Sequence, residues 1–416
     1  MGRHVALMLR EADYPLLRQV ELLLFDRFTL IPILGPRPVS PTPWFRSRVA
    51  PGAGDGTPIG CSWRWSVDGG RPTVRHYLEP LGPLTGTPAD PLNEVAPKQF
   101  LLQLAQVFPA TNLDALWKYV AHLRPDTRSS DARRYIGSSL LLGLEMGAEN
   151  DRVDVMAGLI TKVPHQVDKL LPMIIPAAMQ DAFGPDVALD ALEAAREFID
   201  SDAHLVLNGT MAIDCIDPGV SRFKFYVTNT SASFDHIAKV MTVGGRKHVP
   251  QQHLDDLRGL WYRLKGLSHD FSDTEEPPMP GTDGSSKGAA VAGNMTGLSF
   301  YFDLHPTRKL PDVKMQVDLS KHARTDVAAA DAVVSFLEDH GQSGWAAAYM
   351  SVLSGPAPQG QLATKRGVHS YFSFALKPKG LEIKSYINPQ AYRRYWENRA
   401  EMDTVTPVRQ RRSLFE

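Results

Sequence analysis

The feature that most constrains this chain is an alternation with period two in which one side of each segment is cationic or phenolic. In Val74-Arg75-His76-Tyr77-Leu78-Glu79, one face carries Arg75, Tyr77 and Glu79. Arg222-Phe223-Lys224-Phe225-Tyr226 sets Arg222, Lys224 and Tyr226 against Phe223 and Phe225. Lys314-Met315-Gln316-Val317-Asp318-Leu319 and Tyr371-Phe372-Ser373-Phe374 repeat the pattern. Successive side chains of a β-strand point to opposite faces, so each segment has one greasy and one polar side.

Two arrangements satisfy that alternation. One is an antiparallel sheet with its polar face in water. The other is a closed barrel whose outer face packs on helices and whose lumen is polar. Tyrosine recurs on the polar faces, and their other members are mainly cations and hydrogen-bonding groups rather than a random surface mixture, which favours the barrel. Such a lumen offers ammonium and guanidinium groups to a diphosphate and phenol rings to a cation.

Strand-like segments come in pairs: Ile59 to Val67 with Thr73 to Glu79, His204 to Asp214 with Arg222 to Val227, Leu298 to Leu304 with Val313 to Leu319, and Ser370 to Ala375 with Leu381 to Ile387. Between them lie stretches with helical spacing. Leu16, Leu17, Val20, Leu23 and Leu24 recur at i, i+3, i+4, the run Phe100 to Leu123 does the same, and Asp151 to Asp200 reads as mostly helical. The order predicts repeated α-α-β-β units in one α+β domain over 1–416, without residue-level repeats. Gly35 to Gly60 is a Pro- and Gly-rich loop, about 272–297 a polar mobile insertion, and about 389–416 a helical then basic tail.

Composition removes several classes of partner. There are 45 basic and 46 acidic side chains, a net charge of −1, which argues against nucleic acid or an anionic membrane. Any anionic ligand must be held by cations gathered locally. Cys61 and Cys215 are too few for a disulfide framework or a four-cysteine zinc site, so a cytoplasmic setting is expected. No stretch approaches the 18 apolar residues of a spanning helix. An Asp-Asp-x-x-Asp run that would hold Mg²⁺ on a diphosphate is absent, Asp255-Asp256 standing alone. P-loop, dinucleotide-binding and hydrolase signatures are absent too.

Several stretches in a shared order resemble the dimethylallyltryptophan-synthase type of aromatic prenyltransferase. They include Ile31-Pro-Ile-Leu-Gly-Pro-Arg-Pro38, Gly56-Thr-Pro-Ile59 with Ser62-Trp63, Val74-Arg75 with Glu79-Pro80, and Asp90-Pro-Leu-Asn93. Asp217-Pro218, Ser221-Arg-Phe-Lys-Phe-Tyr226, Ser233-Phe234, Gly244-Gly245-Arg246, Leu310-Pro-Asp-Val-Lys314 and Gly367-Val-His-Ser-Tyr-Phe-Ser-Phe374 complete the set. The resemblance implies a barrel of ten antiparallel strands ringed by helices (the ABBA or PT barrel). It implies a dimethylallyl or longer prenyl diphosphate as co-substrate, an aromatic acceptor that is an indole derivative, tryptophan, a phenol or a fused aromatic, and no required metal. A monomer or homodimer is expected. Arg75, Arg222, Lys224 and Lys314, with Gln316 beside them, match the diphosphate site, and Tyr226 and Tyr371 match tyrosines that shield the allylic cation. Ile59, Trp63 and His204 are candidates for the acceptor pocket, and His204, Asp214, Glu79 and Asp318 for the base. Trp63 and Trp65 also suit core or wall.

Three departures qualify the resemblance. The glutamate that holds the acceptor's indole N–H in the family is replaced by Gly60, in Thr57-Pro-Ile-Gly-Cys-Ser62, which implies a different acceptor such as a phenol or a larger fused aromatic. The family's Lys-x-Tyr falls in Val153 to Pro164, where Asp154 and Met156, or Leu159 and Thr161, fill its places and Lys162 offers a substitute. Gln316 stands where a tyrosine is often found, so fewer phenols are expected around the donor. A non-catalytic barrel that binds an aromatic or isoprenoid ligand is the alternative that Gly60 and the lost Lys-x-Tyr support.

Overall fold

A computed structural model describes residues 2–36, 55–123, 138–149, 152–160, 164–278, 297–355 and 360–392, with single positions at 38, 45, 47 and 49. Ten strands form its centre: β1 (Ile59–Arg64), β2 (Thr73–Leu78), β3 (Leu140–Met146), β4 (Val153–Ile160), β5 (Leu205–Asp214), β6 (Phe223–Asn229), β7 (Leu298–Leu304), β8 (Asp312–Asp318), β9 (His369–Lys377) and β10 (Gly380–Ile387). Each is antiparallel to its neighbour in sequence, and β10 closes on β1 with Cys61 opposite Ile387 and Arg64 opposite Lys384. Closure leaves no open sheet edge.

Helices separate the strand pairs. Val95–Val107 and Asp114–Leu123 lie between β2 and β3, Ile175–Phe183 and Asp190–Asp200 between β4 and β5, and Phe234–Met241 and Gln251–Lys265 between β6 and β7. Asp326–Asp339 and Ser343–Ser354 lead to β9. The α-α-β-β order holds, and the single helical run expected from Phe100 to Leu123 is two helices. None of the described helices is long and apolar enough to cross a membrane.

The alternation sorts the strand residues cleanly. Phe223, Phe225, Phe300, Phe302, Phe372 and Phe374 all point outward and are at most 1% exposed. They fill the layer between barrel and helices, where Phe225 stacks on Phe302 at 5.3 Å and Phe223 on Tyr119 at 4.4 Å. Burying one such side chain contributes about 1.5–3 kcal/mol. In the same layer His76 meets Asp26 at 3.0 Å. Burial favours its neutral form, but the Asp26 carboxylate outweighs that and raises the imidazole well above its ordinary value.

Two strands correct the sequence reading. β4 lies in the segment read as mostly helical, and β3 had no assignment. Apart from Glu145 and Asp154 near the cationic end, their inward positions (Leu141, Gly143, Met156, Gly158 and Ile160) are as apolar as the outward ones, so the period of two is largely lost. The start of the polar insertion is also anchored: Glu276 Oε1 accepts from Ser231 Oγ at 2.5 Å and Oε2 from the Ala232 N–H at 2.7 Å. Residues 279–296 of that insertion and 393–416 of the tail lie outside the described residues.

Candidate active site

The barrel encloses a cavity of about 850 Å³. That is near the top of the range of about 300–1,000 Å³ for small-molecule sites. The strand register divides its wall in two. Arg64, Arg222, Lys224, Lys314, Lys377, Glu382 and Lys384 fall toward one end. Gly60, Leu141, Ile160, Thr228, Ser299, Asp318 and Tyr371 fall toward the other.

The cationic end is an interlocked ion network. Arg222 Nη2 stands 2.7 Å from Asp214 Oδ2, Arg222 Nη1 stands 3.0 Å from Asp303 Oδ2, and Lys224 also pairs with Asp214. On the opposite wall, Glu145 binds Arg75 and lies 2.7 Å from Arg64 Nη2, while Lys314 Nζ is 3.1 Å from Glu382 Oε1. Burial acts to raise the Glu145 carboxyl, but Arg75 and then Arg64 overcome it and hold it at about 2. Glu382 is likewise held at about 2, by Lys314 and then Arg64 against its burial. These carboxylates are ionised at neutral pH, and they hold the cations in place. Six cations (Arg64, Arg75, Arg222, Lys224, Lys314 and Lys377) and the buried amine of Lys384 line this end, interleaved with the carboxylates of Glu145, Asp214, Asp303 and Glu382, a cation-rich wall that suits a polyanion.

A belt of phenols crosses the middle. Tyr77 and Tyr386 have ring centroids 5.0 Å apart, as do Tyr226 and Tyr301, and Tyr371 is edge-on to Tyr386 at 6.2 Å. Gln316 Nε2 donates to Tyr386 Oη at 3.4 Å. Position 316 carries no phenol, and Tyr77, Tyr301 and Tyr386 stand with Tyr226 and Tyr371 on the cavity wall.

Several expected residues sit elsewhere. Ile59 and Trp63 are 1% and 0% exposed and face outward from β1 into the helix-packed layer, because their strand positions have the opposite parity to Gly60 and Ser62. Trp65 packs edge-on to Tyr349 at 4.8 Å. His204 lies on the exposed turn before β5, with Nδ1 2.9 Å from Thr230 Oγ1, so it does not reach the cavity. Glu79 is buried just past the end of β2 and is not among the residues that line the cavity. Asp214 is engaged by Arg222 and Lys224 and is a counter-ion rather than a base. Asp318 does line the cavity, opposite Tyr371 in register, and its Oδ1 accepts from the Ser320 N–H at 3.0 Å and Oγ at 2.6 Å.

Gly60 faces inward opposite Tyr77. A β-carbon built there would stand 3.1 Å from Val49 Cγ1 and 3.6 Å from the Ile387 carbonyl. On β4, Asp154 and Met156 face inward, Leu159 faces outward, and Thr161 and Lys162 lie outside the described residues. The sequence reading missed Arg64, Lys377 and Lys384 as lumen cations. The signal was there in Leu381-Glu-Ile-Lys-Ser-Tyr-Ile387, where Glu382, Lys384 and Tyr386 alternate with Leu381, Ile383 and Ile387.

The tryptophan dimethylallyltransferase family profile matches residues 1–352. The chain belongs to this family of aromatic prenyltransferases. It is 49% identical over 409 residues to prenyltransferase vrtC of Penicillium aethiopicum, covering 97% of this chain and 84% of that one. It is 44% identical over 419 residues to prenyltransferase nscD of Arthroderma otae, covering 100% and 94%. Among solved structures, AnaPT from Neosartorya fischeri superposes with a TM-score of 0.75 at 21% identity, covering 94% of this chain and 92% of that one. NotF, solved in complex with brevianamide F and DMSPP, superposes at 0.73 with 18% identity and coverages of 94% and 92%. In the tryptophan dimethylallyltransferase fold, then, this chain combines a cation-rich end, a phenol belt and an apolar end in one cavity.

Proposed function

We propose that this prenyltransferase moves a dimethylallyl or geranyl group from its diphosphate onto a phenolic, fused-ring aromatic, without a metal. The observation that carries this reading is the two-ended lumen, with paired cations at one end and an apolar wall of Val49, Leu141, Met156 and Ile160 at the other. Arg75, Arg222, Lys224 and Lys314 take the diphosphate, joined by Lys377. Ionising the allylic C–O bond puts negative charge on the leaving oxygen. Fixed cations in a water-poor site stabilise that charge with little reorganisation, the part Mg²⁺ plays in enzymes that bridge it to acidic clusters. Among the described residues, Asp214, Glu145 and Glu382 are already engaged by Arg or Lys, which leaves them poorly suited to a metal.

The allyl cation then lies within the belt of Tyr77, Tyr226, Tyr301, Tyr371 and Tyr386. Each phenol face contributes about 1–2 kcal/mol to a desolvated cation and keeps water from quenching it. The aromatic carbon attacks, a C–C bond forms, and the ring must lose one proton. Asp318 is the best-placed acceptor: it lines the cavity and binds neutral Ser320 rather than a cation. Burial raises its carboxyl above the ordinary range, which makes it a stronger base than a surface aspartate.

Gly60 and Val49 argue for the fused aromatic. No carboxylate is present at Gly60 to hold an indole N–H, and a flat, wide ring system gains more from the apolar wall. The test is incubation with dimethylallyl and geranyl diphosphates and a panel of indoles, phenols and fused polyphenols, with and without EDTA, read by mass spectrometry. Prenylated polyphenols that persist in EDTA are expected. Products on indoles alone, or loss of product in chelator, would overturn the acceptor and the metal-free readings respectively.

A further inference from the structure

Lys384, like the half-buried Lys377, differs from the other cations around it in having no ion pair among the described residues, and it is the more deeply buried of the two. It projects inward from β10 between Glu382 and Tyr386, is 5% exposed, and lies opposite Arg64 on β1 and Ser373 on β9. Arg64 and Arg75 share Glu145, Lys314 has Glu382, and Arg222 and Lys224 have Asp214. Among the described residues Lys384 has neither ion pair nor hydrogen bond, and its Nζ stands 5.8 Å from the Tyr386 ring centroid.

Its surroundings disfavour a proton. Burial weighs most, followed by the charges of Arg75 on β2, Lys314 on β8 and Arg64 on β1, and together they push the amine well below the usual lysine value. Glu382 opposes them, but Lys314 already holds it. Glu145 on β3 also faces this group and is taken by the two arginines. Lys377 on β9 adds a further positive charge to this end, and the phenols of Tyr77 and Tyr386 also line it. A buried ammonium without a partner sheds its proton rather than bear the desolvation cost. A bound diphosphate reverses that balance by bringing several negative charges among the same cations.

We propose that Lys384 is a further contact for the donor's diphosphate and that donor binding brings one proton onto its amine. The proton comes from solvent and leaves again with the released inorganic diphosphate, so no bond to Lys384 forms or breaks other than N–H. Donor affinity therefore falls as pH rises, and product release quickens. The inference rests on the proposed binding of an allylic diphosphate in this lumen.

Isothermal titration calorimetry of the full chain with dimethylallyl thiolodiphosphate at pH 8, in buffers of different ionisation enthalpy, counts the protons. At that pH the analogue is itself ionised, since the last phosphate ionisation lies near about 6. Wild type should take up close to one proton. Lys384→Arg, charged already, should bind without uptake. Lys384→Met should lose the uptake and about tenfold or more in affinity. Equal uptake by Lys384→Met and wild type, or wild-type binding with no uptake, overturns the proposal. Absence of binding by wild type would instead overturn the diphosphate site itself.

Discussion

Val49 Cγ1 stands 3.1 Å from where the β-carbon of any residue replacing Gly60 would lie. The glycine and the valine are thus one feature: the loop before β1 fills the place that a side chain on β1 would take. A glutamate at 60 meets a packed methyl group, which must shift by a few tenths of an ångström before the carboxylate can reach the cavity.

The double variant Gly60→Glu with Val49→Ala should shift acceptor preference toward indoles, and Gly60→Glu alone should do so less. Competition between an indole and a fused polyphenol, read as the product ratio, checks this. An unchanged ratio in the double variant would show that the position does not contact the acceptor.

Lys224→Ala or Arg222→Ala should lower kcat by about 10²-fold or more, the scale for losing one preorganised group opposite developing charge. The same change leaves Asp214 undercompensated in a buried site, so donor affinity should fall as well. Steady-state kinetics with both substrates varied separates the two effects.

Asp318→Asn keeps a side chain able to cap the helix that begins at Leu319, because asparagine is as good an N-cap as aspartate. Folding should be retained while kcat falls about 10²-fold, the scale of general base catalysis. In wild type the acid limb of the kcat profile should lie above the ordinary aspartate range, since burial raises this group and the base must be ionised. The variant should lose that limb. A wild-type profile flat down to pH 4 would remove Asp318 from the mechanism.

Trp63→Ala should destabilise the protein by about 3–5 kcal/mol, the cost of emptying a fully buried aromatic site. The KM for the acceptor should stay close to wild type in the folded fraction. Thermal unfolding with acceptor titrations distinguishes this from a residue of the pocket wall.

Stability should also depend on acid in a predictable direction. Glu145 and Glu382 drop from an ordinary 4.5 to about 2 on folding, so their contribution is present above pH 4.5 and is lost as pH falls toward 2. Denaturation midpoints should fall across that window, and Glu145→Gln should make the fall shallower.

Fold and site were legible to different depths for a physical reason. Strands whose two faces differ announce themselves: Arg222 to Tyr226 and Lys314 to Leu319 could be placed, with the inward residues named, from alternation alone. Leu140 to Met146 and Val153 to Ile160 could not, because, Glu145 and Asp154 apart, their inward side chains are as apolar as their outward ones. The helix holding Leu16, Leu17, Val20 and Leu24 was legible from its spacing, yet those residues are exposed.

The linear chain by itself determined that alternating segments would form a sheet with one cationic face, and the order of its motifs determined the family. Only the closed barrel decided which polar residues share a cavity. Parity turned Trp63 outward and Gly60 inward, closure set Lys384 beside Arg64 across 320 positions of sequence, and a loop brought Val49 to Gly60. Contacts of that kind depend on the three-dimensional path of the backbone, and no local pattern encodes them.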